Sequence, residues 1–278
     1  MKRRFGIVLA AAVALGLSLP TAAAQAAPVA VSPNYLAAGD SITAGLGVSS
    51  AQAFPSRLDA ASRKLTLANV ATPGAGLAAV GAQLALYPGD KEAVTKITLT
   101  VGANDIQWVD ILLACLNQPV GSPCAQRVVA PPATTVQNLV DAGFVGLPAG
   151  VQTLLAGAHQ AYPNARIHVA GYYELFGSHK RTCQLGNGYF ITAADKAWYN
   201  ATILRLNSVL KGAVAATNAS VPGSPITYVS VASRFNGHGL CDSATPWVIG
   251  SENLGAAGHP TAKGQQAYAN ALFAAGVR

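Results

Sequence analysis

Tyr35-Leu-Ala-Ala-Gly-Asp-Ser-Ile-Thr-Ala-Gly-Leu-Gly47 runs from four apolar residues into a Gly-Asp-Ser turn and on into small residues. A short apolar run closed by turn chemistry reads as a buried strand, and this one delivers Ser41 to the turn that ends it. Four more such runs follow, Leu65 to Ala71, Ile97 to Val101, Arg166 to Ala170 and Ile226 to Val231, with helical patterns between them. Strand and helix alternating in this way predict an α/β fold with a parallel sheet and helices on both faces, because parallel neighbours need long crossovers. Ligands gather beyond the carboxyl ends of such strands. Ser41 stands just past the first strand, Gly74 past the second and Asn104 past the third.

The clearest helix is Thr192 to Asn218, which opens on Thr192-x-x-Asp195 and is expected to turn Ala197, Ala201, Leu204 and Val209 toward one face. A second helical stretch is expected between Thr135 and Tyr162, and a last one from Pro260 through Phe273.

The first residues read as an address. Lys2, Arg3 and Arg4 form a basic start, Phe5 to Leu19 an apolar centre, and Ala24-Gln-Ala26 a small-x-small cleavage site, which predicts a secretory signal peptide over 1–26. The apolar run is short for a membrane span, so no stable membrane anchor is expected. Removing the leader lowers the formal net charge from +7 to +4, and the remaining Lys and Arg are scattered, which argues against nucleic acid as a partner. Residues 27–278 carry no internal repeat and no Gly/Ser-rich or Pro-rich linker, and predict a single domain, expected to be a monomer.

Cys115, Cys124, Cys183 and Cys241 are even in number, and no two are spaced as Cys-x-x-Cys, so in an exported chain they predict disulfides rather than a metal site. Of three connectivities, Cys115 with Cys124 and Cys183 with Cys241 is favoured, since the first pair flanks "LNQPVGSP" and can close locally. On the loop-entropy model the two are worth about 2.5 and about 4 kcal/mol.

A serine hydroxyl needs a base to take its proton, and a turn after a strand can hold it exposed beside backbone N–H groups. In "NVATPGAG" the N–H of Gly74, with Gly76 as runner-up, can face a developing oxyanion. In "LTVGANDI" the Asn104 amide can donate to the same oxygen without a charge to desolvate. In "GHPTAKGQQAYANAL" His259 precedes Pro260 and the last helix, where a loop can bring it over the strand ends. Of the other histidines, His159 and His168 fall inside elements, and His179 and His238 lie in loops near Cys183 and Cys241.

In the order Ser, Gly, Asn, His, these four places resemble the blocks of the SGNH hydrolases, the GDSL-type esterases and lipases. The segment "RFNGHGLCDSATPWVIG" is similar to the loop before the catalytic histidine in secreted actinobacterial members. The resemblance implies a flavodoxin-like three-layer α/β/α sandwich with five parallel strands, and a secreted serine esterase or lipase without a cofactor, acting on small-molecule or lipid esters. Ser41 would be the nucleophile and His259 the base, with the N–H groups of Ser41 and Gly74 and the side chain of Asn104 as the oxyanion hole. A carbohydrate acetylesterase uses the same residues, and a non-catalytic secreted binding protein is the alternative from another class. One position departs from the pattern: many members carry Asp three residues before the histidine, and here it is Ala256. Asp242 and Glu252 are the nearby carboxylates, but the resemblance favours the main-chain carbonyl of Ala256 as the group that orients His259.

Overall fold

The computed structural model describes residues 32–278 apart from 131, 132 and 243, and the expected signal peptide lies outside the described residues. Nine strands occur along that chain: β1 (Tyr35–Gly39), β2 (Leu67–Asn69), β3 (Lys96–Thr100), β4 (Val128–Ala130), β5 (Thr134–Thr135), β6 (Arg166–Ala170), β7 (Cys183–Gly186), β8 (Tyr189–Ile191) and β9 (Ile226–Val229). The helices are α1 (Ser41–Ala44), α2 (Phe54–Ala61), α3 (Leu77–Ala85), α4 (Trp108–Cys115), α5 (Val136–Phe144), α6 (Leu147–Ala161), α7 (Ala193–Ser220) and α8 (Ala262–Ala274).

Five strands form one parallel sheet in the order β2-β1-β3-β6-β9, and the remaining four make two small antiparallel ribbons, β4 with β5 and β7 with β8. All five residues of β1 are buried, as are four of the five in β3 and in β6. A strand covered on both faces has no polar side to show, which is why these runs lack alternation. Right-handed crossovers put α2 on one face and α3, α6 and α7 on the other. The packing agrees: α3 lies on α6 and α6 on α7, while α2 lies on α8. The chain reverses its winding at β1, so the loops after β1 and β3 diverge to opposite sides and open a crevice between them. Ser41 and Asn104 are on those two loops.

Three expectations are corrected. The stretch from Thr135 to Tyr162 is two helices, because Gly146 takes a φ of 77° and Pro148 in the first turn of α6 has no N–H to continue α5. The second strand is three residues long, although Val70 and Thr72 still donate to Ala37 and Gly39 of β1 at 2.9 and 3.1 Å. The buried face of α7 is Tyr199, Ile203, Leu206, Leu210 and Val214, whereas Ala197, Ala201 and Leu204 are exposed. Polar residues disguised that stripe: buried Asn200 and Asn207 sit in it and donate to the carbonyls of Phe176 and Tyr172 at 2.8 and 2.7 Å.

Cys115 is joined to Cys124 and Cys183 to Cys241, the pairing the spacing favoured, with Cα–Cα separations of 4.8 and 5.7 Å. The first bridge is tied to α7, where the Asp195 carboxylate accepts the Cys124 N–H at 2.8 Å.

Candidate active site

The turn after β1 is built around Asp40. Its carboxylate caps α1 by accepting the Ile42 N–H at 2.9 Å, and the cap sets Ser41 at the first helical position. Ser41 does not stand exposed as the turn position suggested: it is only 4% accessible, and His259 only 5%. Burial on this scale removes competing water from both side chains.

The histidine arrives from the far end of the sequence. Thr261 caps α8 through the Gly264 N–H at 3.4 Å, and the residues before it fold back as a short turn in which Ile249 donates to the His259 carbonyl and Gly258 to the Ile249 carbonyl, both at 2.8 Å. Gly258 has a φ of 81°, and a Cβ there would stand 2.8 Å from the Trp108 ring, so the turn needs glycine twice over. The Tyr173 hydroxyl donates to the Gly258 carbonyl at 2.5 Å, and the Trp108 ring meets the imidazole edge to face at 5.2 Å.

These two loops bring Ser41 Oγ to 2.7 Å from His259 Nε2. On the other side of the ring, Nδ1 lies 3.1 Å from the Ala256 carbonyl and 3.3 Å from that of Ala257. A carbonyl can only accept, so the proton sits on Nδ1 and the lone pair of Nε2 faces the serine hydroxyl. Neither nearby carboxylate reaches the ring. Asp242 accepts the Gly239 N–H at 2.8 Å and Glu252 the Gly250 N–H at 2.9 Å, each within its own turn. Burial pulls the His259 pKa below the ordinary 6.5, against the opposing pull of the Ala256 carbonyl and the Asp40 charge.

The two glycines of the loop differ in their surroundings. Where a Cβ would be added at Gly74, nothing lies within 4 Å, so that residue faces open space. Gly76 is a glycine for another reason: a Cβ there would come within 2.9 Å of the Asp105 carboxylate, which accepts the N–H of Leu77 at 3.0 and 3.1 Å. Asn104 donates from Nδ2 to the Ala75 carbonyl at 3.0 Å, which ties the loop after β3 to the residue beside Gly74 and leaves its second amide hydrogen available. The N–H groups of Ser41 and Gly74 find no acceptor among the described residues.

The family model described as GDSL-like lipase/acylhydrolase matches residues 37–267. The chain belongs to that family. This acylhydrolase is 30% identical to Lipase 1 of Streptomyces coelicolor over 281 residues, covering 95% of each chain. Its fold is that of the extracellular lipase of Streptomyces rimosus, with a TM-score of 0.69 at 23% identity over 87% of this chain and 98% of the other. It is also that of phospholipase A1 from Streptomyces albidoflavus NA297, with a TM-score of 0.70 at 21% identity over 88% and 99%. Family and relatives together make the protein a carboxylic ester hydrolase.

The site holds residues that the motifs did not point to. Thr100 Oγ1 and Tyr172 Oη both donate to Asp40, at 2.7 and 2.5 Å, while Tyr173 and Trp108 brace the histidine turn. A signal for the two tyrosines was present, since they directly follow β6 and so lie at the same carboxyl edge as Ser41 and Asn104. Of the remaining histidines, His238 stacks on Trp247 at 3.8 Å and His168 lies in β6 against the Ala275 carbonyl, 3.2 Å away. Among the described residues no group of three or more metal-ligating side chains is present.

Proposed function

We propose that the acylhydrolase is a secreted serine esterase or lipase working through a Ser41–His259 dyad and an acyl-enzyme. The observation that carries this reading is the 2.7 Å contact of Ser41 Oγ with Nε2 of an imidazole whose Nδ1 is held by a main-chain carbonyl. Ser41 Oγ attacks the ester carbonyl as its proton passes to Nε2. The carbonyl oxygen, now negative, takes hydrogen bonds from the N–H groups of Ser41 and Gly74 and from Asn104 Nδ2. When the tetrahedral centre collapses, the alkoxide leaves with the proton from Nε2. Water then gives a proton to Nε2, attacks the acyl group and releases the acid, and Ser41 regains its hydrogen.

The apolar character of the side chains beside Ser41 favours an aliphatic acyl group. Ser41 lines one recess together with Trp108, Leu175, Tyr199 and Ile203. Secretion is supported by the basic, apolar and small-x-small order of the first 26 residues, by two disulfides, and by the description of the Streptomyces rimosus relative as extracellular. The test is hydrolysis of p-nitrophenyl esters by residues 27–278. Turnover is expected in the parent and a loss of about 10⁴-fold or more in Ser41→Ala. Retained turnover in that variant would sink the mechanism.

A further inference from the structure

Asp40 is 1% accessible, and no cation pairs with it among the described residues, where the ion pair present joins Arg205 to Asp141. A lone buried carboxylate is costly, and proteins usually avoid one or neutralise it. Here three elements supply donors to it instead: the Ile42 N–H of α1 at 2.9 Å, Thr100 Oγ1 of β3 at 2.7 Å and Tyr172 Oη after β6 at 2.5 Å. Thr100 is itself held by Thr43 Oγ1 at 2.7 Å. Capping α1 needs a single acceptor atom, and that work falls to Oδ1; Oδ2 accepts from Tyr172, a bond that favours the charged carboxylate.

The carboxylate and the histidine turn share a cavity. Asp40 and Ser41 line it together with Gly258, Tyr173 and Trp108, which hold His259. Each proton transfer from Ser41 would make His259 an imidazolium, and position 256 offers that cation a peptide dipole where a carboxylate would give a full charge. We infer that Asp40 is a positioning residue whose charge, acting across this cavity, stabilises the His259 imidazolium in place of the carboxylate missing at 256. This inference rests on the dyad proposed above.

The groups that face His259 are few. From the β1–α1 turn come Asp40 and Ser41, from α4 the uncharged Trp108, and from the segment after β6 Tyr173, whose hydroxyl is committed to the Gly258 carbonyl. Tyr268 of α8 is spent on the Gly171 carbonyl at 3.0 Å. Burial holds the tyrosines neutral; it also pushes the Asp40 carboxyl above its ordinary value, against the hydrogen bonds of Tyr172, Thr100 and Ile42 that favour the charged form, and Asp40 is the group whose charge acts on the imidazole.

The acid limb of kcat/KM reports the free-enzyme histidine and tests the inference. Asp40→Asn keeps an oxygen for the Ile42 N–H and removes only the charge, so the limb is expected to move to lower pH by about one unit, with about a tenfold loss of kcat on the plateau. Tyr172→Phe removes a hydrogen bond that holds the buried carboxylate ionised, so Asp40 takes a proton more readily and the limb is expected to move to lower pH here too. A capping role would lower Tm in Asp40→Asn and leave both limbs where they were, and that result, or an upward shift in Asp40→Asn, overturns the inference. If Asp40→Asn does not fold, Tyr172→Phe decides alone: a lowered limb supports the inference and an unmoved or raised one overturns it. Ser41→Ala run alongside separates the two levels, since active Ser41→Ala removes the dyad itself, whereas inactive Ser41→Ala with unmoved limbs removes only the role of Asp40.

Discussion

The two halves of the site are held by different means. On the Ser41 side the work is done by side chains: Asp40 is gripped by Thr100 and Tyr172, and Asn104 reaches to the loop of Gly74. On the His259 side it is done by the main chain, with the carbonyls of Ala256 and Ala257 on the ring and the exchange between Ile249, Gly258 and His259 setting the turn. Side-chain contacts can be deleted one at a time by substitution, and main-chain contacts cannot. The Ser41 half should therefore be the more sensitive to polar substitutions, whereas the histidine half, where Tyr173 is the polar side chain that grips the turn, should respond chiefly to shape changes at Gly258 or Trp108.

The largest effect that sharpens this contrast is at Asn104. Asn104→Ala is expected to lower kcat by about 10²- to 10³-fold, the loss of one oxyanion donor, with little change in KM. A change confined to KM would place Asn104 in substrate binding and take it out of the contrast.

A smaller effect concerns pH. If His259 takes the Ser41 proton as proposed, only its neutral form can do so, and activity is expected to fall with pH through the His259 pKa, which burial sets below the ordinary 6.5. The half-maximal point of kcat/KM on the acid side is expected under pH 6.5, and a value above it would mean that a carboxylate reaches the ring after all.

The smallest effect is the one that would break the contrast. Asp242→Asn and Glu252→Gln are each expected to leave kcat within about threefold of the parent, since both carboxylates are engaged in their own turns. A serine protease whose triad carboxylate is made an amide loses on the order of 10⁴. A loss of 10³-fold or more in either variant would give the His259 ring a carboxylate partner.

The same division explains what the sequence made legible. Ser41, Asn104 and His259 are chemistry-bearing side chains at strand ends or before a helix, so their types and places could be read without coordinates. The sequence favours Gly74 over Gly76, but the close approach of the Asp105 carboxylate to Gly76, from a loop 29 residues further on, could not be read there. Ala256 was identified only by what it lacks, since its carbonyl is shared by every residue type. The buried face of α7 was misread because Asn200 and Asn207 look like surface residues until their backbone partners are seen, and burial of Ser41 depends on Trp108 and the turn at Gly258 closing over it. The sheet was legible because strands covered on both faces have to be apolar throughout, whereas ends such as that of β2 are set by neighbours rather than by residue type.

The claim that Ser41 and His259 act as one unit is tested most directly by covalent trapping. A p-nitrophenyl phosphonate ester phosphonylates an activated serine and releases one nitrophenolate, and the modified peptide can then be found by mass spectrometry. The account predicts one equivalent of nitrophenolate, the added mass on the peptide containing Ser41, and a labelling rate that falls with acid along the same limb as ester hydrolysis and is lost in His259→Ala. Ester hydrolysis that continues with Ser41 unlabelled, or labelling of Ser41 at an undiminished rate in His259→Ala, would contradict it.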